Sequence, residues 1–341
     1  MKKIMKSLVA VLLMLSLGGC TEPQPEPQGP PTNQRMTAIF FDLPWAHAIE
    51  EGMRAAIADQ SHIQLTTHYH EMNDIVRESE LITENMKNTD ALLIAVQDVD
   101  GSVAAIKAAH DAGVPVICLG SCLNDEDFKE YVTGFYGSDS KLLGYRTGAF
   151  LSQWLAENFP DGPVKLGVLH CNKRAECLAR STAFRAALRD NGTVWDEVAN
   201  REGYIAEEAT EVARGILEEF PETRVLWAAN EGGTEGAVQA VRELGLEGQV
   251  FVFGTDLNAT IAEMLLADDN VLQAVTGQEP GEIGRRAILG AAAILRGDLD
   301  RPFRTIGTPF YSRATPESIP KFVEPQEVDS DPKPKPPVTK D

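Results

Sequence analysis

The constraint that bears hardest on this chain is an alternation of short strand-like runs with segments of helical periodicity. Runs of five or six residues occur at 36–41, 63–67, 91–96 and 115–119, with a helix expected from Trp45 to Asp59 after the first. A second series follows: helix 141–158, strand 164–169, helix 175–191, a weaker strand at 194–199, helix 206–220 and strand 225–229. It ends with a helix from Glu231, strand 250–254, a helix from Ala259 and strand 271–276. The strand cores are continuously apolar, the pattern of parallel strands covered on both faces. Strands and helices in this order imply a doubly wound α/β architecture, and two series imply two similar lobes. In such sheets small molecules bind at the carboxyl ends of the strands. Two lobes with those ends facing would enclose a cleft that closes by a hinge.

The two ends of the chain read differently. Lys2, Lys3 and Lys6 precede an apolar stretch from Leu8 to Leu17, and Leu17-Gly18-Gly19-Cys20 follows. About ten apolar residues cannot span a bilayer core of about 30 Å, so residues 1–19 are expected to be an export signal. Cysteine directly after Leu-Gly-Gly resembles the lipobox of bacterial lipoproteins, which implies acylation of Cys20 as the mature N-terminus. The chain is then expected outside the cytoplasm, in the periplasm or at the cell surface, held to a membrane by its lipid. Residues 20–35 hold five prolines and few apolar side chains, an extended spacer. Residues 324–341 have the same character and are expected to be disordered.

Charge and cysteine narrow the function classes. The chain carries 31 Lys+Arg against 51 Asp+Glu, a net charge of −20, and loses three lysines with its leader. Phosphates would be repelled, so no nucleic acid is expected as a partner. Besides Cys20, four cysteines remain: Cys118, Cys122, Cys171 and Cys177. An even count in an exported chain points to disulfides, with three possible pairings. The close pairs Cys118–Cys122 and Cys171–Cys177 are favoured as clamps on local loops, four buried thiols being the alternative.

Several marks of catalysis are missing. No Gly-x-Gly-x-x-Gly follows the first strand and no phosphate-binding Gly-x-x-x-x-Gly-Lys-Ser/Thr occurs, so no nucleotide cofactor is expected. His68-x-His70-Glu71 offers two imidazoles on one face of a strand but no clear third ligand, too little for a metal. Asp98 and Asp100 flank a strand end, where starting the next helix is their ordinary role. No nucleophile elbow appears. A binding protein rather than an enzyme is expected, and nothing calls for more than a monomer.

Four segments carry a resemblance. FPETRVLWAANEGGTEGAVQAVRELG (220–245), VFVFGTD (250–256), VLQAVTGQEPGEIGRRA (271–287) and ARSTAF (179–184) resemble, in this order and spacing, the ribose-binding type of periplasmic solute-binding protein, type I. The likeness covers about residues 36–312. It implies a sugar or polyol-like ligand held by Asn230, Asp256 and Gln278 at strand ends, with Arg180 on a helix start and Trp45 stacking on a sugar face. Amide and carboxylate groups match vicinal hydroxyls in any case. The competing readings are that Asn230 and Asp256 cap the helices after them, that Trp45 is a core residue, and that Arg180 lies on the surface. Ribose-type members carry Asp-Arg where this chain has Gly120-Ser121, so Ser121 replaces a bidentate fork that it cannot imitate. Arg174, between Cys171 and Cys177, is a candidate substitute cation.

The resemblance further implies lobe 1 over 36–136 plus 279–303 and lobe 2 over 138–277 plus 304–322. Three hinge crossings are then expected near Gly137, Gly277 and Arg304. The expected partner is an ABC permease. YSRATPESIPKF (311–322) also loosely resembles the end of autoinducer-2 receptors, which share the fold and report to a membrane sensor kinase, the alternative partner.

Overall fold

The computed structural model describes residues 33–321 apart from Lys173. The leader, Cys20, most of the spacer and the 324–341 tail lie outside the described residues. The first sheet contains β1 (Gln34–Phe41), β2 (Ile63–His70), β3 (Ala91–Ile94), β4 (Val116–Leu119), β5 (Gly134–Ser138) and, from late in the chain, β11 (Phe303–Ile306). Its order is β11-β5-β4-β3-β1-β2, all parallel. The second contains β6 (Val164–His170), β7 (Trp195–Glu202), β8 (Val225–Ala228), β9 (Phe251–Thr255), β10 (Leu272–Thr276) and β12 (Phe310–Ser312). Its order is β12-β10-β9-β8-β6-β7, parallel except for β12, which runs against β10.

Both faces of each sheet are covered, which is why the strand cores contain few polar residues. Ala38 and Phe40 of β1 pack with residues of α1 (Pro44–Ile57) and α10 (Pro280–Arg296). The intervening Ile39 faces α2 (Ile75–Asn85) and α3 (Val103–Asp111). In the second sheet, Leu226 and Ala228 join a core with α7 (Ala206–Glu219), α8 (Glu231–Glu243) and α9 (Ala259–Leu266). Val225 and Trp227 pack on the other face with α5 (Ser140–Asn158) and α6 (Ala175–Asp190), where Phe184 stacks on Trp227 at 4.2 Å. Full burial of such side chains stabilises by about 1.5–3 kcal/mol each.

The chain passes between the sheets three times: at Asp139 between β5 and α5, over 277–279 between β10 and α10, and over 307–309 between β11 and β12. The first and third passages depart from the sequence reading, for Gly137 lies inside β5, opposite Thr305. Arg304 lies inside β11, opposite Tyr136, so residues 303–306 stay with the first sheet. Three of the four β11 residues are exposed, so the segment lacks the apolar signature of a strand. Its order comes from backbone pairing with β5 and from Phe303 stacking on Phe135 at 4.9 Å. β1 likewise begins at Gln34, inside the stretch read as spacer, where Arg35 pairs with Asp90 at 2.7 Å. Among the described residues no helix is long and apolar enough to cross a membrane.

Candidate functional site

Strand ends from both sheets converge on one cavity of about 300 Å3. That is the small end of the ~300–1,000 Å3 range of ligand pockets. The first lobe contributes Phe41 at the end of β1, Trp45 in the first turn of α1, and Gly120 and Ser121 after β4. The second contributes Arg180 on α6, Tyr204 after β7, Asn230 after β8, Asp256 after β9 and Gln278 after β10.

Asp256 organises the second wall. Its Oδ1 accepts from Gln278 Nε2 at 2.7 Å, and its Oδ2 accepts from Arg180 Nη1 and from the Glu231 backbone N–H, both at 3.2 Å. Its backbone is left-handed (φ 73°), a conformation that Asp tolerates better than most residues. That geometry turns the carboxylate away from α9, the helix after it; Asn258 caps α9 instead, accepting from Ile261 N–H at 2.8 Å. Arg180 is 5 % exposed and donates also to the Ala229 carbonyl at 2.9 Å. Its depth follows from Gly144 on α5, where any Cβ would overlap the Arg180 carbonyl. A helix pair without that glycine would stand further apart and lift Arg180 away from Asp256. Two desolvated charges hold each other here, and breaking such a pair costs far more than its net contribution.

Asn230 likewise does not cap the helix it precedes. Its Nδ2 donates to the Tyr204 carbonyl at 2.8 Å, and its Oδ1 is buried with no partner among the described residues. Burial pushes the Tyr204 hydroxyl up to about 12, so that ring is neutral at physiological pH.

The opposite wall is aromatic. Trp45 lies nearly parallel to Phe41, centroids 6.2 Å apart, with its indole N–H buried and, among the described residues, unpartnered. Gly120 has φ 69° and backs directly onto the indole: a Cβ there would sit 2.6 Å from two ring carbons. The Ser121 hydroxyl donates to the Val96 carbonyl at 2.8 Å, so its proton is already committed within the lobe. Cys118 and Cys122 are bonded across this turn.

Arg174 is placed differently from its sequence reading. It does not line the cavity. From the loop closed by the Cys171–Cys177 bond it crosses to the other lobe, reaching Asn73 Oδ1 and the Gln97 carbonyl at 3.4 Å. With the Gln97 amide turned to satisfy its neighbours, its side-chain oxygen accepts from Arg174 Nη2 at 2.9 Å. The guanidinium lies between the Tyr204 ring, 4.4 Å from its centroid, and that of Phe41 at 5.8 Å. It is a tie between lobes rather than a wall of the site.

The remaining candidates go elsewhere. His68 contacts Asn85 Oδ1 at 3.2 Å, while His70 is buried 3.8 Å from Glu78 and bonds the Glu71 carbonyl. Asp98 accepts from the Asp100 and Gly101 N–H groups ahead of α3. Sequence reasoning missed Phe41, Glu176, Tyr204, Glu231 and Glu235, all of which line the cavity. The strand-end rule could have found Glu231, which directly follows Asn230. Tyr204 follows a half-exposed strand that carries little signal.

Comparison with known proteins matches this architecture. Residues 36–299 match the family model described as a periplasmic binding protein domain. The ABC transporter periplasmic-binding protein YphF of Escherichia coli K12 is 27% identical over 265 residues, 77% of this chain and 80% of that protein. A D-ribose/D-allose-binding protein of Pseudomonas aeruginosa is 30% identical over 195 residues, 56% of this chain and 59% of that one. Among solved structures, an ABC transporter periplasmic solute binding protein from Actinobacillus succinogenes 130z, with bound D-allose, superposes with a TM-score of 0.75. It is 20% identical, covering 83% of this chain and 99% of that one. One from Bacillus halodurans C-125 with bound myo-inositol also gives 0.75, at 16% identity over 85% and 98% of the two chains. Two mainly parallel sheets with three passages of chain between them, strand ends meeting at one cavity, and a family match over more than three quarters of the sequence lead to one conclusion: this chain belongs to the type I periplasmic binding proteins, a family that binds solutes and does not transform them.

Proposed function

We propose that this protein is an extracytoplasmic lipoprotein that captures a sugar or polyol-like solute between its lobes and presents it to an ABC permease. The observation that carries the reading is the Asp256–Arg180–Gln278 network beside Asn230, facing Trp45 across a cavity of about 300 Å3. Fixed donors and acceptors on one side suit ring hydroxyls, and an aromatic face on the other suits the apolar side of a sugar. Relatives with bound D-allose and myo-inositol support this ligand class. The lobes move as bodies about the three crossings, with closure completing the site. Cys20 carries the lipid, residues 1–19 are removed, the two short disulfides clamp cleft-side loops, and the protein acts as a monomer.

The test is mass spectrometry of solute released from the purified chain, followed by thermal unfolding with that solute. At 100-fold excess over its dissociation constant, a specific ligand stabilises by about 2.7 kcal/mol. Asn230→Ala and Asp256→Ala should both abolish the shift, and retention in both would place the site elsewhere. Stimulation of a permease's ATPase in proteoliposomes supports the import role, whereas stimulation of a sensor kinase would replace it. Loss of membrane attachment in Cys20→Ser tests the anchor.

A further inference from the structure

The charge of the cavity goes beyond what a neutral sugar requires. Its walls carry five carboxylates, from Glu176, Glu207, Glu231, Glu235 and Asp256, against one guanidinium among the described residues, Arg180. That guanidinium is already committed to Asp256. Glu235 accepts from Asn258 Nδ2 at 2.7 Å. Among the described residues Glu176 and Glu231 have no cation within ion-pair distance. Arg174, whose charge also acts on Glu176, is spent on acceptors of the opposite lobe.

The placement of these two glutamates has a partial explanation. Glu176 and Glu231 sit in the first turns of α6 and α8, where the helix dipole favours an acid. A first-turn acid open to water would keep its ordinary affinity for a proton. Here burial in the cleft pushes the Glu176 carboxyl up, and burial with Asp256 alongside pushes Glu231 up to about 7. Buried charges are normally paired, and a carboxylate desolvated without a counter-charge is costly.

Unpartnered atoms on the same walls point to what is needed. Asn230, 6 % exposed, holds in Oδ1 an acceptor unpaired among the described residues. Among the described residues Arg180 Nε and the Trp45 indole N–H are unpaired donors. The two donors call for oxygens on the solute. The surplus of acceptors calls for N–H groups and positive charge.

Resting on the solute-binding reading above, we infer that the solute carries a protonated amine among its hydroxyls, as in an amino sugar or amino polyol, with the ammonium between Glu176 and Glu231. Anionic solutes such as sugar phosphates and sugar acids are excluded by the same carboxylates.

The test compares D-glucosamine, D-galactosamine and D-mannosamine with their neutral parents and their N-acetyl forms, by calorimetry on the full chain at neutral pH. At least one amino sugar should bind about tenfold or more tighter than its parent. N-acetylation should remove that advantage, and Glu231→Gln with Glu176→Gln should shrink it to about threefold or less. If every neutral or N-acetylated sugar binds as tightly as its amine, the inference is overturned while the solute-binding reading stands. If no member of any set binds, both fall.

Discussion

The two walls of the cleft are built on different principles. Among the described residues the first lobe offers Phe41, Leu43, Pro44, Trp45, Gly120 and Ser121, without a charged side chain. The second holds all the charged groups and most of the polar ones, and its central residues are wired to each other: Asp256 to Arg180, Gln278 and the Glu231 backbone, Asn230 to the Tyr204 carbonyl. Such prepositioned polar groups do not need to reorganise when a solute arrives, which favours tight and selective binding. An uncharged aromatic surface can close over many solutes. On the proposed function, selection would reside in the second lobe and enclosure in the first, so variants on the two walls should fail in different ways.

The largest effect should come from Asp256→Ala. Removing this carboxylate leaves Arg180 buried with only the Ala229 carbonyl, and losing one member of a buried ion pair costs about 3–5 kcal/mol. Urea unfolding should show that loss alongside abolished solute binding. Asp256→Asn, which tolerates the left-handed backbone and can still accept from Gln278, should recover much of the stability. A loss below about 1 kcal/mol for Asp256→Ala would show that the wall is not wired as described.

Trp45→Ala should behave otherwise, lowering solute affinity about tenfold or more through lost stacking area while costing the fold less than Asp256→Ala. Trp45→Phe should restore most of the affinity. If Trp45→Ala instead unfolds the protein as severely as Asp256→Ala, the aromatic wall is core and the contrast between lobes collapses.

Arg174 belongs to neither wall, and its variants sharpen the comparison further. Arg174→Ala removes contacts to Asn73 and Gln97 and to the Phe41 and Tyr204 rings at the edges of the two lobes' cores. Solute affinity should fall about fivefold, the scale of one charge-assisted, ring-stacked contact. Small-angle scattering with saturating solute should show a more open particle. Lysine should rescue poorly, because an ammonium lacks the planar fork and the stacking face. An unchanged scattering profile in Arg174→Ala would remove the tie.

How far all this could be read from sequence depended on whether the cause was local. Ala91–Ile94 is buried on both faces, so its composition announces a central strand. β5, with glycines at 134 and 137, and β11, exposed at three positions, are ordered by pairing with each other across more than 160 residues of chain, which no local pattern reports. At the site, Asn230, Asp256 and Gln278 were legible through the resemblance carried by segments 220–245, 250–256 and 271–287, together with their place at strand ends. The competing cap readings fail here for a reason sequence could not supply, the left-handed turn at Asp256 and the reach of Asn230 to Tyr204. The burial of Arg180 depends on a glycine 36 residues away on another helix. Glu176 and Glu231 were hidden because acids in first turns are ordinary, and only the cavity distinguishes them.

The smallest effect should come from Ser121, the hydroxyl that the first lobe brings to the cavity. Its hydroxyl already donates to the Val96 carbonyl, and the Cys118–Cys122 bond holds the turn around it. Ser121→Ala deletes one buried hydrogen bond, a loss of about 0.5–1.5 kcal/mol. Solute affinity should change by less than about threefold, since the proton that could have met the solute was never available to it. Calorimetry with the solute recovered from the wild type measures this directly. A tenfold loss of affinity at unchanged stability would mean that Ser121 turns from Val96 to the solute on closure. Enclosure and selection would then no longer divide between the two lobes.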